Sequence, residues 1–178
     1  MRTTARLLLR PFQATDLDPW AALNADPEVM RYLGGEPLTR EASDRIAEQV
    51  NARYAGDGLG FLAIERRTDG AFPGACGLQT EPWYPDDLEL GWRLAREHWG
   101  HGYATEAAAS WLAHAFTDLD VPRVISVTDT PNERSIAVMR RLGMTFDHTA
   151  VLEEDGVEFD ATIYSITAAA WRSAQPPA

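Results

Sequence analysis

The feature of the sequence that most restricts the fold is a strand pattern that runs through a glycine turn straight into a helix pattern. In DLELGWRL (87–94), apolar residues alternate with charged or small ones, which is typical of a β-strand with two different faces. WGHG (99–102) follows, and beyond it alanines and larger apolar residues recur at spacings of three and four. This order predicts a strand, a turn with two positions that lack side chains, and a helix that begins close to Gly102.

The glycine turn is suited to bind a phosphate group. The first backbone N–H groups of a helix have no partners within the helix, and glycine lets a ligand approach them without a Cβ in the way. Negatively charged groups therefore bind readily at such a position. A plain tight turn before a helix would use the same residues, so the G-x-G pattern alone leaves both interpretations open.

The rest of the chain predicts helices placed among antiparallel strands. Alternating patterns bounded by turn residues predict strands, and apolar residues at spacings of three and four predict helices. The predicted strands are RLLLRPF (6–12), GFLAIERR (60–67), AFPGACGLQTE (71–81), DLELGWRL (87–94), RVISVTD (123–129), MTFDHTAVL (144–152) and VEFDATIYSIT (157–167). The predicted helices are DLDPWAALN (16–24), TREASDRIAEQVNARYAG (39–56), a segment from about Gly102 to Phe116, and TPNERSIAVMRRLGM (130–144).

These elements predict a single α/β domain. The sheet is expected to be mixed and mostly antiparallel, with about seven strands flanked by about four helices, and with one parallel strand, helix, strand unit over residues 87–128 around the glycine turn. A chain of 178 residues fits one domain, and no repeat or linker divides it. We expect the domain to span 1–172 and a short flexible tail to span 173–178.

The helix after RVISVTD has unusually complete end signals. Thr130 is predicted as its N-cap, Pro131 occupies the first position, and Glu133 would complete a capping box. Gly143 is the predicted stop at the C-terminal end. If Thr130 caps this helix, then Asn132 is free for another role.

Charge and composition limit the classes of partner. The net charge of −11 argues against a broad nucleic-acid surface, and it suits a cationic substrate. No segment approaches the ~20 apolar residues of a membrane span, and Arg10 and Pro11 interrupt the leucines near the start too early for a signal peptide. The single cysteine, Cys76, excludes an internal disulfide and favours a buried apolar role in a reducing compartment, so the expected location is the cytoplasm. His114 and His148 lack metal-ligand spacing, and no metal is expected.

Three phosphate motifs compete for the glycine turn. A P-loop requires G-x-x-x-x-G-K-[ST], which the chain does not contain. A dinucleotide fingerprint requires a third small residue where Thr105 stands, and an early position in a series of parallel units. The third motif is the pyrophosphate loop of acetyl-CoA enzymes, [QR]-x-x-G-x-[GA], which REHWGHG resembles except that Glu97 occupies the [QR] position.

ELGWRLAREHWGHGYATEA (89–107) resembles the central motif of the GNAT N-acetyltransferase superfamily, in particular the RimJ/RimL-like branch of ribosomal-protein N-terminal acetyltransferases. RLLLRPFQATDLDPW and ADPEVMRYLGGEPLTREA resemble the opening of that branch. NERSIAVMRRLGM resembles its N-x-x-S-x-x-x-x-x-x-[LN]-G-[FM] helix. Two motifs in the correct order are more specific than one, and the resemblance implies a GNAT-like fold and an N-acetyltransferase.

The resemblance also implies how acetyl-CoA, the cosubstrate, would be held. Strand backbone at Trp92, Arg93 and Leu94 would face the pantetheine arm, Asn132 would contact the cofactor, and Ser135 would lie near its sulfur. The residues implied to wrap the pyrophosphate are Trp99, Gly100, His101, Gly102, Tyr103, Ala104 and Thr105. His98 and His101 either help to hold phosphate charge or are solvated loop residues.

Acetyl transfer to an amine requires proton transfers, and the resemblance suggests which residues perform them. An amine attacks only when it is neutral, so a base is needed, and the leaving thiolate needs a proton. Ser135 is implied as the acid. Two glutamates remain open as the base: Glu154, by its spacing from Ser135, and Glu89, which lies on the central strand. A backbone N–H near Leu94 could stabilise the oxyanion.

The acceptor that the resemblance implies is a primary amine, either a protein N-terminus or a small molecule such as a polyamine or an aminoglycoside. Trp83 and Tyr84 either line its site or form a satellite core cluster or a dimer contact. An acyl-CoA-binding module without turnover is the alternative function, and a nicotinamide oxidoreductase is a distant third. The branch commonly forms dimers, so the resemblance predicts a homodimer.

Overall fold

A computed structural model of the chain describes residues 1–154 and 156–175, which form one eight-stranded sheet with six helices. The strands are β1 (Arg2–Thr3), β2 (Leu7–Arg10), β3 (Gly60–Arg66), β4 (Gly74–Glu81), β5 (Tyr84–Leu94), β6 (Arg123–Asp129), β7 (Thr145–Glu154) and β8 (Val157–Thr167). The helices are α1 (Leu17–Asn24), α2 (Pro27–Met30), α3 (Arg40–Asp57), α4 (Tyr103–Thr117), α5 (Glu133–Arg141) and α6 (Ala168–Ser173).

The sheet is mixed, as predicted. Its order is β1-β2-β3-β4-β5-β6-β8-β7, and every pair in it is antiparallel except β5 with β6. The parallel pair is joined through α4, which confirms the predicted strand, helix, strand unit around the glycine turn. The predicted α/β class is therefore confirmed. The elements that the sequence analysis omitted are β1, α2 and α6, which are two to six residues long and too short to show a period.

Helices cover both faces of the sheet. Trp111 and Phe116 of α4 are fully buried against strand residues such as Leu62 and Leu90. On the other face, a second cluster packs α1, α2 and α3 against small strand residues; its buried members are Phe12, Trp20, Leu23, Val29, Ala47, Ala63, Ala75 and Ala95. Successive residues of β3 belong to different clusters, as the alternation of a strand requires. The central strands are therefore rigidly held from both sides.

The two central strands pair only briefly and then diverge. The register of β5 with β6 contains Leu88 opposite Val124 and Glu89 opposite Ile125. Beyond that point β5 continues to Leu94 while β4 still pairs with its other edge. At about 3.4 Å per residue, the five residues after Glu89 create a gap roughly 17 Å long. One edge of β5 therefore faces an open, V-shaped cleft.

Helix α6 is the last element of the described residues. Helix α6 runs to Ser173, one residue into the predicted segment 173–178, and Arg172 reaches back to the carbonyl of Phe116 at 3.1 Å. Residues 176–178 lie outside the described residues. Within the described part of the chain, no helix combines the length and apolarity that crossing a membrane requires.

Candidate active site

The glycine turn is an open set of backbone amides at the start of α4. Gly100 and Gly102 have φ of 78° and 77°, a left-handed conformation that glycine adopts without strain, and Gly102 is the N-cap of α4. Among the described residues, none accepts a hydrogen bond from the amides of 100–105. A Cβ at Gly100 would meet no atom within 4 Å in the part of the chain that the structure describes. The turn thus presents consecutive N–H donors at the positive end of a 15-residue helix.

Two arginines flank this turn, and the sequence analysis did not identify either. The guanidinium carbon of Arg134, in the first turn of α5, lies 4.4 Å from the ring centre of Trp99. Arg6 donates to the carbonyl of His101 at 2.9 Å and pairs with Glu106 at 2.6 Å. Glu97, at the position where the pyrophosphate motif has Gln or Arg, is exposed. Positive charge beside the turn therefore comes from outside the motif, which is why the motif did not reveal it.

The two histidines of the turn pack against the ring of Tyr103. His101 stacks on Tyr103 with ring centres 5.5 Å apart, and His98 meets the edge of the same ring at 6.2 Å. Burial lowers the pKa of His98, which favours the neutral imidazole. His98 is therefore a poor source of positive charge for a bound phosphate.

The backbone of β5 faces the cleft at alternate residues. Ser126 of β6 donates to the carbonyl of Leu90 at 2.7 Å, and the indole of Trp99 donates to the carbonyl of Leu94 at 2.8 Å. Because peptide groups alternate along a strand, the backbone groups of Trp92 and the N–H of Leu94 point to this same side. The backbone groups of Trp92 and Leu94 therefore face the cleft, whereas those of Arg93, which was predicted with them, are turned toward its register partner Ala75 on β4.

The side chain of Arg93 lies away from the cleft mouth, against α1. It donates to Asn24 at 2.7 Å, and its guanidinium lies 5.4 Å from the ring centre of Trp20. Burial lowers the pKa of Arg93 to about 10, while the negative charge of Glu154 counteracts this shift. Arg93 remains charged at neutral pH and anchors β5 to the helical layer.

The predicted cap of α5 is wrong by two residues. Asn132 is the N-cap: its side-chain oxygen accepts from the backbone N–H of Ser135 at 3.2 Å. Its amide nitrogen donates to Thr128 at 2.9 Å and to the hydroxyl of Ser135 at 3.1 Å. Thr130 instead bonds to Thr162 on β8. Asn132 therefore has a local structural role as the cap of α5, and Thr130 does not leave it free for another role.

The C-terminal end of α5 agrees with the prediction. Gly143 follows the last turn with φ of 79°, and the N–H of Met144 bonds to the carbonyl of Met139. Helix α5 begins after the end of β6, just as α4 begins after the end of β5. The first turns of both helices, with Ser135 and the glycine turn, therefore lie at the open end of the cleft, and the contact of Arg134 with Trp99 joins them.

Glu89 lies at the closed end of the cleft, where β5 and β6 part. Its carboxylate accepts from the backbone N–H of Val127 and from the side chain of Gln79. Glu89 is half-buried, and protein atoms surround its carboxyl group closely. Burial, followed by the charges of Glu81 and Glu154, raises the pKa of Glu89 to about 8. A carboxyl group poised near neutral pH is a feature of general bases.

The raised pKa of Glu89 makes the stability of the fold depend on pH. The folded protein keeps a proton on this carboxyl between pH 4.5 and about 8, whereas the unfolded chain releases it, so stability falls as pH rises through that window. We expect Glu89→Gln to remove this penalty and to stabilise the protein by roughly 1–3 kcal/mol at pH 9 relative to wild type, with little effect at pH 5. Urea unfolding at the two pH values measures this, and an equal effect at both would contradict it.

Glu154, the other candidate base, ends β7 and belongs to the same electrostatic cluster. Its charge raises the pKa values of Glu81 and Glu89 and opposes the lowering at Arg93. Glu154 and Glu89, the two candidate bases, therefore lie close enough to interact electrostatically. The adjacent Asp155 lies outside the described residues.

Trp83 and Tyr84 form a satellite cluster between two hairpins. The indole of Trp83 donates to the carbonyl of Glu153 at 2.8 Å and meets Phe159 edge to face. The hydroxyl of Tyr84 lies 2.9 Å from Nε2 of His148. The structure favours the interpretation that this pair forms a satellite core cluster. The contacts of Trp83 and Tyr84 hold the end of β7, with Glu154, beside the cleft.

Among the described residues, no group of three or more His, Cys, Asp or Glu side chains is arranged so that it could hold a metal ion. His114 pairs with Asp118 at 2.6 Å on the surface of α4. The thiol of Cys76 is buried in the core, and burial raises its pKa well above the ordinary value. Neither residue lies at the cleft.

The fold and this cleft agree with the family to which the chain is related. The acetyltransferase (GNAT) domain family matches residues 6–145, which is more than half of the chain. The chain therefore belongs to the GNAT acetyltransferase family, and it is an enzyme of the acyltransferase class.

Individual relatives carry acetyltransferase names. The uncharacterized N-acetyltransferase p20 of Bacillus licheniformis is 31% identical over 141 residues, which cover 78% of this chain and 79% of the relative. The FsC-acetyl coenzyme A-N(2)-transacetylase of Aspergillus fumigatus is 32% identical over 186 residues, covering 98% and 79%. The spermidine N-acetyltransferase of Vibrio cholerae, solved in complex with CoA and spermine, shares the fold with a TM-score of 0.75 at 21% identity, covering 95% of this chain and 99% of that chain.

Proposed function

We propose that this protein transfers an acetyl group from acetyl-CoA to a primary amine by direct attack within a ternary complex. The observation that carries the proposal is the cleft itself. Unpaired amides at 100–105 lie at its open end, and a carboxyl group with a pKa near 8, Glu89, lies at its closed end. A diphosphate and a reactive acyl group at the two ends of one extended arm would fit these two features.

The residues at the open end would bind the carrier. Amides of 100–105 would hold the pyrophosphate, aided by the dipole of α4 and by the charges of Arg6 and Arg134. The strand edge at Trp92 and Leu94 would pair with the amides of the pantetheine arm, as an added strand pairs with a sheet edge. Asn132 would support this side through its bonds to Thr128 and Ser135.

The residues along the cleft would move the protons. Glu89 would take a proton from the amine, because a carboxylate can do so efficiently only when its pKa approaches that of its partner. The N–H of Leu94 would stabilise the oxyanion, and the hydroxyl of Ser135 would protonate the departing thiolate. Glu154 would then act as a nearby charge that attracts a cationic amine, not as the base.

The acceptor is proposed to be a cationic amine. The closed end of the cleft holds the carboxyl groups of Glu81, Glu89 and Glu154, and the whole chain is acidic. This charge favours an ammonium group on either a protein N-terminus, as in the RimJ/RimL-like branch, or a small molecule such as a polyamine. The spermine in the Vibrio cholerae relative supports the second choice. A cytoplasmic location and a homodimer remain predictions.

An acceptor screen tests the proposal. Purified protein is incubated with acetyl-CoA and with spermidine, spermine, an aminoglycoside or peptides with free N-termini, and thiol release and product mass are recorded. We expect acceptor-dependent thiol release and a product heavier by one acetyl group with at least one amine. Binding of acetyl-CoA without any such release would instead support the alternative, an acyl-CoA-binding module with no turnover.

A further inference from the structure

Three polar side chains meet on one face of the β4–β5 pair, and the sequence analysis identified only one of them. Gln79 of β4 is the register partner of Glu89 on β5, and Glu81 follows two residues later on the same face. The register shifts between Gln79 and Glu81, which re-aims the end of β4. The side-chain nitrogen of Gln79 donates to a carboxylate oxygen of Glu81 and also contacts the carboxylate of Glu89.

Gln79 brings the two carboxyl groups together, because it donates to Glu81 and lies directly opposite Glu89 in the register. A hydrogen bond between Glu81 and Glu89 also affects the pKa of Glu81, and such a bond between carboxyl groups requires one proton for the pair. Burial raises the pKa of Glu81 as well, with the charge of Glu154 adding to the effect. Two like charges this close cannot both persist in a half-buried site, so the pair retains a proton at neutral pH.

Groups from every neighbouring strand and helix complete the surroundings. The backbone N–H of Val127 on β6 donates to Glu89, and Glu154 on β7 adds negative charge. Arg53 on α3, which donates to Thr80 at 2.6 Å, lowers the pKa of Glu81 by its positive charge. Gln79 is thus a neutral donor to both carboxyl groups, and this pair lies between the negative charge of Glu154 and the positive charge of Arg53.

We propose that Glu81 is a positioning residue for acetyl transfer: by sharing one proton with Glu89, and with Gln79 bridging the two, it fixes the carboxyl of Glu89 at the point where β5 and β6 part. This inference rests on the proposed function of Glu89 as the base. Glu81 does not act on the substrate. Its role is to keep Glu89 basic enough for an amine and oriented into the cleft.

Two substitutions should move the base in opposite directions. In Glu81→Gln the like charge is lost, so Glu89 ionises at lower pH and becomes a weaker base. In Gln79→Leu the donor that stabilises the ionised carboxylates is lost, so Glu89 ionises at higher pH. A purely structural role for either residue would reduce activity at every pH without moving the profile.

The first measurement is the pH profile of kcat/KM with an amine found by the acceptor screen. In Glu81→Gln, we expect the pH midpoint of the acidic limb to fall by about one unit and the plateau of kcat/KM to fall roughly threefold. In Gln79→Leu, we expect that midpoint to rise. Glu158→Gln is the matched control, because it removes one exposed negative charge from β8 without touching the pair. An unmoved limb in Glu81→Gln, or an equal shift in Glu158→Gln, would overturn the proposal.

The second measurement does not depend on turnover. In protein labelled with ¹³C at the glutamate carboxyl carbons, the signal missing from Glu89→Gln identifies Glu89, and its titration is followed by NMR. We expect a midpoint of about 8 in wild type and a lower midpoint in Glu81→Gln but not in Glu158→Gln. Equal midpoints in wild type and Glu81→Gln would refute the shared proton. If wild type shows no thiol release with any amine, the proposed function is refuted. The titration would still show whether Glu81 and Glu89 share a proton.

Discussion

Replacing Glu89 by glutamine is expected to reduce turnover by about 10²- to 10⁴-fold, the usual contribution of a general base, while acetyl-CoA binds as before. Glutamine keeps the size of the side chain and can accept the hydrogen bond from Val127, so the strand junction should stay intact. What it cannot do is take a proton from an ammonium group. The rate of thiol release at saturating amine gives the loss of kcat, and calorimetric titration with acetyl-CoA checks that its affinity is unchanged.

The dependence of this loss on pH separates a base from a structural residue. At alkaline pH more of the amine is already neutral, so Glu89→Gln should recover part of its turnover there. Glu154→Gln is the informative comparison, since it removes the other carboxylate that the sequence left open. If Glu154→Gln shows the larger loss with alkaline recovery while Glu89→Gln keeps wild-type turnover, then Glu154 is the base and the assignment of Glu89 is wrong.

The fold could be predicted because its signals are local. Alternation in β5, helical spacing in α4 and turn residues between hairpins each act within about ten residues, and together they require a mixed sheet with one parallel unit. The glycine turn was found for the same reason, since Gly100 and Gly102 report a backbone conformation directly. Short elements such as α2 are held by packing and escape this kind of inference.

The parts of the site that escaped prediction depend on register or on distant contacts. Gln79 and Glu81 alternate along β4 as surface residues do, and only their pairing opposite Glu89 makes them part of the cleft. Arg134 lies 35 residues beyond Trp99 in the sequence, and no local pattern joins them.

The cap of α5 shows a different limit. Thr130 and Asn132 are both good N-cap residues, and the sequence could not rank them because the choice depends on where β6 ends. Once β6 extends to Asp129 and Thr130 bonds across to Thr162, the helix starts at Glu133. A local preference was thus overruled by a tertiary contact.

Substituting Gly100 by alanine tests the other end of the cleft. We expect acetyl-CoA to bind about 10- to 100-fold more weakly, because the new Cβ would occupy space that the diphosphate needs beside the free amides. No atom of the described residues would lie within 4 Å of that Cβ, so the loss would come from the ligand and not from a clash within the protein. Calorimetric titration with acetyl-CoA, and with CoA alone, gives the change in Kd.

The control for Gly100→Ala must match its backbone strain. Gly58, the C-cap of α3, has φ of 77° against 78° at Gly100, and a Cβ there also meets nothing within 4 Å. Gly58→Ala should therefore lower the melting temperature by a similar amount, since both substitutions impose a left-handed conformation worth about 1–2 kcal/mol on an L-residue. Only Gly100→Ala should weaken acetyl-CoA binding. Equal affinities in the two variants would mean that the glycine turn merely joins β5 to α4, and that the diphosphate is held elsewhere.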